Sequence, residues 1–105
     1  MKPWVPIQYR DFWDLPRIFI ASYDRKLFLF DCPFDETAED YPETYKVYIL
    51  PGQREEELTG SWDKLHLRAS HFLGEVPISK VEFDPTRRQG IQPSVLEELA
   101  AEARI

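Results

Sequence analysis

Two apolar runs constrain the fold of this chain more than any other feature. Residues Arg17 to Tyr23 read Arg-Ile-Phe-Ile-Ala-Ser-Tyr, and Leu27 to Phe30 read Leu-Phe-Leu-Phe. Successive residues of an extended chain point to opposite faces, so apolar residues in sequence demand cover on both sides. Asp24, Arg25 and Lys26 are all that separates the runs, which predicts a hairpin in the middle of a sheet.

Further strands are expected on either side. Val5, Ile7 and Tyr9 alternate with Pro6, Gln8 and Arg10, the period of a strand with one buried face. Tyr45 to Leu50 is β-branched and aromatic until Pro51 and Gly52 break it. Leu65, Leu67, Ala69, His71 and Leu73 alternate with His66, Arg68, Ser70, Phe72 and Gly74 and predict another strand, and Val81 and Phe83 flank Glu82 in a last one. Asp84-Pro85-Thr86 reads as a turn. Gln53 to Thr59 suits one or two helical turns stopped at Gly60. The chain is expected to close with a helix at about 93–104, because Val95, Leu96, Leu99, Ala100 and Ala103 form one stripe and Ser94 and Glu97 have capping-box spacing. Pro93 is expected just outside that helix or in its first turn.

These elements specify a β-rich α+β fold: a small twisted antiparallel sheet or half-barrel of about five to six strands, with a C-terminal amphipathic helix over one open end. The 105 residues suit one domain, for which roughly 100–200 residues is usual. The helix stripe is expected to pack on its own sheet, with a homodimer formed through that helix as the alternative.

Nineteen acids against 13 bases leave a formal charge of -6. Nucleic-acid binding depends on a basic surface that neutralises phosphates, so this balance argues against nucleic acid, and equally against an anionic membrane. No stretch approaches the roughly 20 apolar residues of a membrane-spanning helix. Arg10, Asp11 and Asp14 interrupt any apolar leader at the start. Cys32 is the sole cysteine and has no internal disulfide partner, so a cytoplasmic location is expected.

Charge is also uneven along the chain. Asp31, Asp35, Glu36, Glu39, Asp40 and Glu43 fall between positions 31 and 43 with no base among them, in a segment whose prolines at 33 and 42 predict a loop. Aromatic residues crowd the first thirteen positions, as Trp4, Tyr9, Phe12 and Trp13, and follow the acidic loop as Tyr41, Tyr45 and Tyr48. A fold of this size cannot bury fifteen aromatic rings, seven Phe, five Tyr and three Trp, and part-exposed Trp and Tyr beside charge are features of protein interfaces. Tyr9, Phe19, Phe28, Phe30 and Phe83 are expected in the core. The candidate interaction residues are Phe12, Trp13, Asp35, Glu36, Glu39, Asp40 and Tyr41, for a protein partner carrying basic and apolar groups.

No catalytic constellation emerges. Cys32 lies between Asp31 and Pro33, where negative neighbours oppose a reactive thiolate, and a half-buried place at a strand end is expected. His66 and His71 fall on opposite faces of the strand expected around them, so they do not chelate one metal, and His71 is expected in the core or at its rim. Ser61-Trp62-Asp63-Lys64 has the spacing of a serine–lysine pair, but two common residues at one spacing recur by chance, and a capped turn is expected. Arg87 and Arg88, two adjacent arginines, are expected to pair with acids near the helix. Neither a cofactor nor a metal is expected. The sequence therefore predicts a small non-catalytic interaction or regulatory module. The alternative is a small-ligand binder or modest hydrolase with a pocket near Asp31, Cys32 and His71.

Overall fold

A computed structural model describes residues 4–13, 15–23, 25–50, 62, 65–84 and 90–102, with 11–13 and 15 described in their backbone alone. Strands β1 (Val5–Trp13), β2 (Leu15–Tyr23), β3 (Lys26–Asp31), β4 (Thr44–Leu50) and β5 (His71–Pro77) form an antiparallel meander. The chain then crosses to the far side of β1, where β6 (Gly90–Ile91) pairs Val5 with Ile91, and continues into helix α1 (Pro93–Glu102). Among the described residues the sheet has six strands in the order β5-β4-β3-β2-β1-β6 and stays open, the β-rich α+β architecture expected. No described helix is long and apolar enough to cross a membrane.

The central position of β2 and β3 explains their apolar sequence, since each face of the sheet carries its own core. On the first face Phe19 and Ala21 of β2, Phe28 and Phe30 of β3, and Tyr45, Val47 and Ile49 of β4 pack with Val95, Leu96, Leu99 and Ala100 of α1. On the second face Ile20, Leu27, Leu29 and Leu50 pack beneath Trp62 and Leu65. Phe19 and Phe30, opposite each other across β2 and β3, stack with centroids 4.5 Å apart, and Tyr45 meets the Phe19 ring edge-on at 5.2 Å. Pairs of this kind add about 0.5–1.5 kcal/mol beyond the area they bury. The Tyr45 hydroxyl, fully buried, donates a 2.6 Å hydrogen bond to the Pro16 carbonyl.

The α1 stripe is buried against its own sheet, and the outward residues Ser94, Glu97, Glu98, Ala101 and Glu102 are mostly polar, so this face gives a homodimer no support. The helix starts at Pro93, where the missing N–H is no loss, which puts Ser94 inside the first turn and not at the cap. Ala103, expected in the stripe, lies outside the described residues, as do Gln53 to Thr59, Pro85, Thr86, Arg87 and Arg88.

Two strand expectations are corrected. Leu65–Arg68 is a 3-10 turn and the strand begins only at His71. Trp62 and Leu65 both reach the second core from positions three apart, which a helical turn allows and a strand does not, and the Leu65 N–H bonds the Trp62 carbonyl at 3.1 Å. Leu67, placed by alternation on a buried face, is 71% exposed. His71 is also exposed, with Nδ1 3.0 Å from the Ser70 hydroxyl, so it is neither core nor rim. Val81 is buried, but the 81–83 segment makes only an isolated bridge, Phe83 to Ile91. Two backbone bonds make that bridge, the Asp84 N–H donating to the Gly90 carbonyl and the Gln92 N–H to the Glu82 carbonyl, each at 2.9 Å. Phe19, Phe28 and Phe30 are core as expected, while Tyr9 and Phe83 pack against it partly buried.

Candidate functional site

Antiparallel pairing sends the β1–β2 connection, the end of β3, the start of β4 and the end of β5 to one end of the sheet. The register fixes this: Phe12 opposes Pro16, Ile18 opposes Asp31, Asp31 opposes Lys46, and Thr44 opposes Pro77. The strand positions of Phe12 and Trp13 and the loop bearing Asp35, Glu36, Glu39, Asp40 and Tyr41 therefore share this end, although the side chains of Phe12 and Trp13 lie outside the described residues.

The acidic loop has an internal structure that composition did not reveal. Asp35 and Asp40 form a backbone bridge with N–H to carbonyl distances of 2.9 and 3.2 Å. The Asp35 carboxylate accepts from the N–H groups of Thr37 and Ala38 at 2.9 and 3.2 Å, and Asp40 Oδ1 accepts from the Tyr41 N–H at 2.8 Å. These are the bonds by which aspartate closes turns. Glu39, at φ 54°, takes the left-handed conformation needed to return the chain. Residues 33–40 are exposed throughout. Phe34 is 51% exposed and meets the Tyr41 ring edge-on at 5.2 Å.

Beneath the loop lies a charge that sequence reasoning missed as a site residue. Arg17 is 8% exposed, with its guanidinium carbon 4.1 Å from the Tyr41 ring centre and Nη1 3.6 Å from the Cys32 sulfur. Cys32 is fully buried, not half-buried, and its thiol donates to the Pro42 carbonyl at 3.4 Å. Its neighbours in space thus include a cation, where its neighbours in sequence are acids. A cleft of about 390 Å³ opens between the loop and the end of β5, with Tyr41 and Pro42 on one wall and Pro77 and Ile78 on the other. Asp40, Glu43, Ser79 and Arg17 supply its polar lining.

A second cluster sits on the opposite face of the sheet. Asp31 Oδ2 lies 3.9 Å from His66 Nδ1. Burial pushes the Asp31 carboxyl above its ordinary range, against the opposing pull of His66 and then Lys46. Burial, and after it the Asp31 charge, also raises the Tyr48 phenol. The Tyr48 ring lies 5.8 Å from that of His66 and 5.1 Å from that of Phe72, its partner across β4 and β5.

Asp31, Cys32 and His71 do not come together. Asp31 faces the second core, Cys32 the first, and His71 opposes Ile49, three residues along β4 from the Asp31–Lys46 pair. Arg10 lies over Trp62 on the second face, at 4.5 Å, while Arg17 is buried toward the first, so the described arginines form no single basic stripe. Of the serine–lysine pair's segment only the buried Trp62 is described. Among the described residues, no group of three or more His, Cys, Asp and Glu is placed to hold a metal ion. Comparison of the chain with protein-family models, characterised proteins and solved structures finds no match.

Proposed function

We propose that this protein is a non-catalytic binding module of the cytoplasm that recognises a partner protein at the acidic end of its sheet. The observation that carries the reading is the turn of residues 35–40, hydrogen-bonded internally and exposed along its length, with the Phe34 and Tyr41 rings beside it. Four carboxylates on a closed turn attract cations, and the half-exposed Phe34 ring offers an apolar contact at the same place. The fitting partner is a segment of Lys or Arg interleaved with apolar side chains. A pocket enzyme gains no comparable support, since Asp31 and Cys32 face opposite sides of the sheet.

Selection of peptides from a random display library on the immobilised protein tests this. Bound sequences are expected to be enriched in Lys or Arg together with Phe, Trp or Leu. Their binding is expected to weaken with salt and to fall on combined Asp35→Asn, Glu36→Gln, Glu39→Gln and Asp40→Asn substitution. Selection with no basic bias, or binding indifferent to the four substitutions, overturns the proposal.

A further inference from the structure

We infer that the cleft between the loop and the end of β5 seats one basic side chain, lysine or arginine, of the partner segment. This inference rests on the recognition reading above and assigns that site a specific subsite. The 390 Å³ volume is near the lower end of the roughly 300–1,000 Å³ of small-ligand pockets, a size suited to one side chain and too small for a folded element. Pro42, Pro77 and Ile78 supply apolar walls. Lysine and arginine carry apolar stems with a charged head, and lay the stem on such surface while keeping the head at a polar edge.

The sign of the charge follows from which groups are exposed. Asp40 and Glu43 line the cleft and are exposed, and Asp35, Glu36 and Glu39 are exposed in the same turn as Asp40. Arg17 also lines it, but is more than nine-tenths buried, its guanidinium turned to the Tyr41 ring and the Cys32 sulfur. An incoming cation therefore meets carboxylates first, whereas an incoming anion must pass them to reach one buried guanidinium. Ser79 and Tyr41, which also line the cleft, each carry a hydroxyl able to accept from an N–H donor.

The test follows backbone amide signals of Tyr41, Glu43, Ile78 and Ser79 in the isotopically labelled full chain by NMR. The probes are N-acetyl-lysine amide, N-acetyl-arginine amide, N-acetyl-norleucine amide and glutarate. The two cations are expected to move these amides saturably. Norleucine amide, of similar shape without the charge, is expected to bind roughly tenfold more weakly, and Asp40→Asn with Glu43→Gln to weaken the cations to a similar degree, as for two exposed ion pairs. Equal binding of norleucine amide makes the cleft an apolar slot and overturns the inference. A stronger response to glutarate makes it an anion seat on Arg17, and no response to any probe means that it seats nothing; either result also overturns it. The two proposals fail separately. If a selected basic peptide moves residues 35–40 but not Tyr41, Glu43, Ile78 and Ser79, the seat is lost and the recognition reading stands. If the cations bind the cleft but selection shows no basic bias, the reverse holds.

Discussion

The guanidinium carbon of Arg17 lies 4.1 Å from the centre of the Tyr41 ring, tying the start of β2 to the segment that leaves the acidic loop. A cation this deeply buried is costly unless its charge is met, and the negative face of an aromatic ring meets part of it. The same ring touches Phe34 and lines the cleft, so one residue links the buried charge, the exposed aromatic and the binding surface.

Tyr41→Leu should therefore destabilise the fold by about 2 kcal/mol, the worth of a desolvated cation–ring contact, while Tyr41→Phe should cost well under half of that. Urea denaturation of both variants checks this. Equal losses would mean that the phenol hydroxyl, and not the ring face, matters to Arg17.

The Tyr45 hydroxyl is the donor to a buried carbonyl, that of Pro16. Tyr45→Phe keeps the ring contacts with Phe19 and Phe30 but strands that acceptor, at an expected cost of about 1–3 kcal/mol. A thermal or denaturant midpoint unchanged from the parent protein would show that water reaches the Pro16 carbonyl.

The central hairpin was legible because Ile18 to Ala21 and Leu27 to Phe30 are apolar on every residue, a pattern that only a doubly covered strand requires. The helix was legible from its stripe. Alternation misled at Leu65 to Ala69, where the chain places Trp62 and Leu65 on the sheet through a tight turn, and local period cannot tell this from a strand without knowing what lies beneath. The two-residue β6 has too few positions to show a period at all. For the site, the acidic loop could be read from charge, but not the bridge of Asp35 to Asp40, which depends on backbone geometry. Arg17 left one faint signal, as the charge that opens an otherwise apolar run. Its pairing with Tyr41 joins residues 24 positions apart, and only the fold brings them together.

Glu39 separates the loop's shape from its charge. At φ 54° a residue with a side chain carries a cost of about 1–2 kcal/mol that glycine avoids. Glu39→Gly should thus leave stability equal or up to about 1 kcal/mol higher, part of the gain being lost to the freer unfolded chain. It should at the same time weaken binding of basic peptides, because one carboxylate of the turn is gone. A clear fall in melting temperature would indicate that Glu39 makes a contact the turn depends on.

Asp31 gives the pH dependence. Its carboxyl is raised in the folded protein above the ordinary 3.8, with burial the leading cause, so between the unfolded and folded values the folded state holds more protons than the unfolded one. Stability from this group is then fully present below about pH 4 and declines as pH rises through the folded value. His66 and Lys46 limit the decline, because their positive charge favours the ionised carboxylate. Asp31→Asn removes the ionisation and keeps the size. Relative to that variant, the parent protein should lose melting temperature as pH rises above about 4, and the two curves should approach each other in acid. Parallel curves across this range would mean that the carboxylate is as well solvated in the fold as in the open chain. A gap that opened in acid, with the parent losing stability there, would make the contact with His66 and Lys46 stronger than the penalty of burial.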